Sequence, residues 1–175
     1  MALGTLTAPL RRTDNPIARL LPVATLAAAA LMSILPVHIA GYAALVPAFT
    51  LMATYHWTVY RPDLLPAPAL FAVGLAEDLL AGAPLGVTPL VLLLARALVL
   101  QRRRYFVGRP FPFVWSGFTL LTAVALGFLW ALHCLFAVAV VDFRSTVFRA
   151  VLTISLFPAA SFLLGRSQRA VMGAG

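Results

Sequence analysis

The sequence predicts an all-α integral membrane protein, about six transmembrane helices in one bundle, and three observations lead there. First, 62% of the 175 residues are apolar and the mean hydropathy is +0.98. Second, only 13 basic and 5 acidic residues are present, 10% of the chain, where globular proteins hold roughly a quarter; such a chain cannot cover a compact particle with a wettable surface. Third, the apolar residues fall into runs of about 20, long enough to cross a hydrocarbon layer some 30 Å thick. The formal charge of +8 does not point to nucleic acid, because the cations sit between apolar runs and not in a stripe. Charge placed that way orients a chain in membrane lipid.

The first span is expected from Leu20 to Leu35, after a basic N-terminal segment, residues 1–18, with Arg11 and Arg12. It is longer than a signal-peptide core and reads as an uncleaved helix, with Pro22 in its first turn and Pro36 near its end. A second span runs from Ile39 to Tyr60, with Pro47 as a kink. Tyr55, His56, Trp57 and Tyr60 crowd before Arg61 and Pro62, an aromatic belt and a cation that together read as an interface anchor.

The third and fourth spans, Pro66 to Gly82 and Leu85 to Leu100, are joined by too short a link for anything but an antiparallel hairpin. Pro66, Pro68, Gly82, Pro84, Gly86 and Pro89 punctuate it. If regular helix began only near Pro89 with Thr88 as its cap, about 20 Å of helix would remain, short of a full crossing. After Arg102, Arg103, Arg104 and Arg109 comes an uncharged run from Pro110 to Val141. Such a run must tilt, project or break near Gly117 or Gly127, and a single tilted, projecting helix is favoured. A polar link at Asp142 to Thr146 leads to a last span, Val147 to Gly165, containing Pro158, and then to a tail, residues 166–175. Of the 13 arginines, ten fall on one side, Arg144 and Arg149 on the other, and Arg96 inside a span, so both termini are expected in the cytoplasm. The whole chain, 1–175, is one domain.

Asp14, Asp63 and Asp142 occupy aqueous segments, but Glu77 and Asp78 are adjacent acids inside an apolar span. Charge at that depth is costly and must face protein or a watery crevice. Gly74, Asp78, Gly82 and Gly86 recur every four residues, which gives a small-residue face able to admit another helix; the competing reading is that the glycines loosen a broken hairpin. Arg96 is the natural partner for Glu77 or Asp78, either as an ion pair that fixes the hairpin or as part of a transport site. His38, His56 and His133 are scattered, without the spacing of a metal or catalytic set. Cys134 is the single cysteine, so there is no disulfide framework. No catalytic residue, metal or cofactor is expected.

The segment Tyr60-Arg-Pro-Asp-Leu-Leu-Pro66, followed by Gly74-Leu-Ala-Glu-Asp78-Leu-Leu-Ala-Gly82-Ala-Pro-Leu-Gly86 and a basic loop, resembles the rod shape-determining protein MreD family. That family shows an aromatic-Arg-Pro element and then a G-x3-D-I/L-x2-G-x2-LG hairpin. The likeness is strongest over Tyr55 to Arg104 and looser through Asp142 to Arg144 and the Pro158 span. Glu77 is a departure, a second acid that the motif does not require.

The resemblance implies a multi-pass, non-catalytic subunit of the bacterial inner membrane. Such a subunit binds the single-span protein MreC, in a complex with MreB, RodA and a class-B penicillin-binding protein that builds the lateral wall. Docking of MreC on the Gly74, Asp78, Gly82 face is the site expectation. The alternative is a vitamin-binding S component of an energy-coupling-factor transporter, which shares this size and topology and also uses short, interrupted spans.

Overall fold

A computed structural model describes residues 16–34, 46–106, 108–137 and 143–172. Among them there are six α-helices and no strand: α1 (Pro16–Ile34), α2 (Phe49–Tyr60), α3 (Ala67–Ala81), α4 (Val87–Arg102), α5 (Phe111–Ala137) and α6 (Phe143–Met172). Short 3-10 turns at Pro62–Leu64 and Arg103–Tyr105 link α2 to α3 and follow α4. Arg11, Arg12, Asp14, Pro36, His38 and Asp142 lie outside the described residues.

The bundle is organised around α2. Every residue from Thr50 to Val59 is buried, because α1, α4 and α6 pack against this helix. A helix enclosed on all sides must satisfy its polar groups internally. Thr54 and Thr58 do so by donating their hydroxyls to the carbonyls of Thr50 and Thr54, at 2.7 and 2.6 Å. Tyr55, His56 and Trp57 reach other helices. Tyr55 donates its hydroxyl to the Val114 carbonyl of α5 at 2.8 Å, and Trp57 donates Nε1 to Thr25 of α1 at 2.9 Å. His56 Nδ1 and the Ser161 hydroxyl of α6 lie 3.3 Å apart. The backbone N–H of Ala48 donates to Thr153 of α6 at 3.0 Å. Tyr55 also meets the rings of Phe106, Phe118 and Phe157, and the last two stack with centroids 3.9 Å apart.

Two expectations are corrected here. The aromatic run before Arg61 is not a belt, since Tyr55, His56 and Trp57 are core residues and only Tyr60 is exposed. Trp57 is fully enclosed by protein and so cannot serve as an interface anchor, and Arg61 lies 3.8 Å from Asp63. Sequence alone could not separate the two, because a tryptophan at a headgroup and one with a buried N–H partner share the same composition. Pro47 likewise kinks nothing: it precedes the helix, which starts at Phe49.

The long helices match expectation more closely. α5 has 27 residues, about 40 Å at 1.5 Å rise, and runs unbroken through Gly117 and Gly127. Its Phe111–Leu132 stretch and the Phe143–Ser167 stretch of α6 are long and apolar enough to cross a membrane. α6 begins before Val147 and continues past Gly165, so residues 166–172 extend the helix instead of forming a separate tail. Pro158 does not end it. Proline lacks the N–H that the Ile154 carbonyl, four residues back, would ordinarily accept from. Trp115 of α5 donates Nε1 to that carbonyl at 3.1 Å, a substitute from a neighbouring helix. By contrast α2, α3 and α4 hold 12, 15 and 16 residues, about 18, 22 and 24 Å, each shorter than a hydrocarbon layer.

Candidate functional site

The punctuated segment between α3 and α4 folds into a closed hairpin, and each small residue in it has an identifiable task. Gly82 ends α3 in the left-handed conformation (φ 64, ψ 24) and Gly86 takes φ 93 at the start of α4. L side chains rarely adopt either conformation. The Asp78 carbonyl accepts the N–H of Ala83 at 3.0 Å, which closes the end of α3.

The start of α4 poses a different problem. Its first N–H groups need acceptors, and the N-cap residue, Gly86, has no side chain to offer one. Asp78 supplies it from the adjacent helix. Its carboxylate accepts the Gly86 N–H at 2.8 Å and the Thr88 N–H at 3.2 Å, and the side chain is wholly buried. An anion at a helix N-terminus is also favoured by the helix dipole. One turn earlier on the same face, a Cβ on Gly74 would lie 2.9 Å from the backbone N and Cα of Pro89, so the helices touch main chain to main chain.

These contacts revise several expectations. α4 starts at Val87, not near Pro89, and Thr88 contributes its N–H instead of capping with its hydroxyl. The face bearing Gly74 and Asp78 is small, as expected, but α4 of the same chain covers it, so it is not an open docking surface. Nor does Asp78 pair with Arg96, since backbone N–H groups already hold both carboxylate oxygens.

Glu77 points elsewhere, as neighbours about 100° apart on a helix must. Besides its like-charged neighbour Asp78, the polar groups that act on it are Thr50 of α2 and Arg149 of α6, and not Arg96. Glu77 Oε2, Thr50 Oγ1 and Arg149 Nε are all buried without a hydrogen-bond partner among the described residues. This cluster joins three helices. Sequence reasoning missed Arg149 by counting it with the polar link, although it lies two turns inside α6, within the apolar run predicted from Val147. Among the described residues no three His, Cys, Asp or Glu side chains gather as a metal set.

The cluster makes a measurable prediction. Glu77→Gln and Arg149→Gln should each lower the thermal midpoint of the purified protein, because each leaves an opposite charge uncompensated in a low-dielectric setting. The double variant should lose less than the two single losses combined, with a coupling of about 1 kcal/mol. Strict additivity in thermal unfolding would show that the two charges do not interact.

Compared with known proteins, the chain matches the family model described as rod shape-determining protein MreD over residues 15–166. No curated protein and no solved structure gives a match.

Proposed function

This chain belongs to the MreD family of rod shape-determining membrane proteins, and on that premise we propose that it is a non-catalytic inner-membrane subunit of the bacterial cell-elongation complex. In this reading it binds a single-span MreC-like protein and through it joins MreB, RodA and a class-B penicillin-binding protein in building the lateral wall. Six spans with both termini in the cytoplasm suit the chain. Arg61, Arg102, Arg103, Arg104, Arg109 and Arg166 lie at helix ends assigned to one side, while Arg149 falls near the opposite end of α6. The family match supports this function over vitamin binding.

The observation that carries the proposal is the hairpin. The motif residues Gly74, Asp78, Gly82 and Gly86 are used to build a closed α3–α4 unit, and what that unit presents outward is Leu79, Leu80, Gly82 and Leu85, all exposed. Partner binding is therefore assigned to the tip and outer side of the hairpin, with the motif acting through its shape. Cysteine crosslinking from Leu80 and Leu85 in cells should capture the MreC-like protein, whereas a cysteine at Val91, buried inside the bundle, should capture nothing. Absence of capture at both exposed positions, in cells where the complex still assembles, would overturn the assignment.

A further inference from the structure

The described acids are all engaged within the chain. Asp63 lies beside Arg61, Asp78 holds the N-terminus of α4, and Glu77 acts with Arg149. Cations at the opposite end of the hairpin have no such match. Arg96, inside α4, has a buried Nε without a hydrogen-bond partner, and no carboxylate among the described residues pairs with it. Six residues further along, about 9 Å at helical rise, α4 ends in Arg102, which is exposed, as are Arg104 and Arg109 beyond it. Arg103 differs from these, since its Nε donates to the Val59 carbonyl at 2.9 Å and so closes the end of α2.

Aromatic rings accompany the exposed cations. The Arg104 guanidinium lies 5.0 Å from the Tyr105 ring centre, and that of Arg109 lies 5.4 Å from Phe113. Tyr105, Phe111 and Phe113 are themselves exposed. Rings of this kind settle at the border between hydrocarbon and headgroups, which puts the stacked guanidiniums at phosphate level. An acidic protein segment would answer the charge but would leave those rings facing water. A lipid answers both, and a planar guanidinium fits a phosphate through paired N–H donors.

We propose that Arg102, Arg104 and Arg109, with Tyr105 and Phe113, form a selective site for an anionic phospholipid headgroup at the α4–α5 end of the bundle. The site rests on the membrane orientation proposed above but is independent of MreC binding, so partner capture from Leu80 or Leu85 can succeed whatever lipids do here.

The test uses the full-length protein reconstituted in bilayers with spin-labelled phosphatidylglycerol or spin-labelled phosphatidylcholine, the motionally restricted fraction being read by electron paramagnetic resonance. The wild type should favour phosphatidylglycerol roughly fivefold, and the preference should shrink as salt is raised. Arg102→Gln, Arg104→Gln and Arg109→Gln together should reduce it, while Arg144→Gln at the far end of α6 should not. Arg103→Gln should lower thermal stability more than lipid preference. A wild type that does not discriminate between the two lipids overturns the proposal without any variant, as does a preference that survives all three substitutions. Binding of a polyglutamate peptide without lipid discrimination would also overturn it, in favour of a protein partner.

Discussion

Asp78→Ala should open the α3–α4 hairpin and cost about 3 kcal/mol, a large share of the 5–15 kcal/mol that typically separates folded from unfolded protein. Two effects combine. The Gly86 and Thr88 N–H groups lose a charged acceptor in a place where water does not replace it, and the dipole of α4 loses its compensating anion. Neither group has a substitute nearby, because Gly86 carries no side chain. Asp78→Asn keeps one carbonyl acceptor but no charge, and its amide group adds donors opposite donors; it should fall between wild type and alanine, at about 1–2 kcal/mol. Thermal unfolding of the detergent-purified protein ranks the three. If the hairpin presents the partner surface, the order should reappear in MreC capture from Leu85 and in the rounding of rod-shaped host cells. A wild-type melting temperature for Asp78→Ala would mean that the cap does not hold the hairpin.

Gly74→Leu should be comparably severe for a steric reason. Even the first added carbon meets backbone atoms of Pro89 at 2.9 Å, and a proline in the first turn of a helix has little freedom to withdraw. Gly74→Ala should cost about 2 kcal/mol and Gly74→Leu more, since overpacking at a rigid contact pushes whole helices apart. The source of the clash can be identified. Because the atoms met are the main-chain N and Cα, Pro89→Ala should fail to rescue Gly74→Ala. Rescue by that substitution, read as recovery of the thermal midpoint, would place the conflict in the proline ring instead. Gly117 offers a contrast in kind, because an added Cβ there would meet side-chain atoms, the outer ring of Phe106 and, at 2.9 Å, the Tyr55 hydroxyl that bonds to Val114, so its alanine variant should strain the buried aromatic cluster and not the main chain of a neighbouring helix.

Much of the fold was legible because hydrocarbon imposes one rule, that long apolar runs become helices. The bounds of α3, α4 and α5 follow from that rule together with their flanking Gly, Pro and Arg residues. What could not be read was direction around each axis. Tyr55, His56 and Trp57 next to Arg61 have the composition of an interface, and only hydrogen bonds from α1, α5 and α6 show that they are interior. The same limit applies to Gly74 and Asp78. Their four-residue spacing announced a close helix contact correctly, but spacing does not say whether the neighbour belongs to the same chain. By elimination the sequence pairs Arg96 with the acids, because a carboxylate in an apolar run calls for a cation. Backbone N–H groups at a helix start serve as well and leave no trace in a list of charges.

The enclosure of α2 also bears on how the protein is made. The helix leaves the ribosome before α5 and α6, yet the partners of Tyr55, His56 and Ala48 are Val114, Ser161 and Thr153, the last two more than 100 positions downstream. Until those are synthesised, a short segment rich in hydroxyl and ring N–H groups sits in lipid with its needs unmet. Chains stopped before α6 should therefore be recognised as incomplete and degraded by membrane proteases, so that quality control of this subunit waits on the arrival of α6.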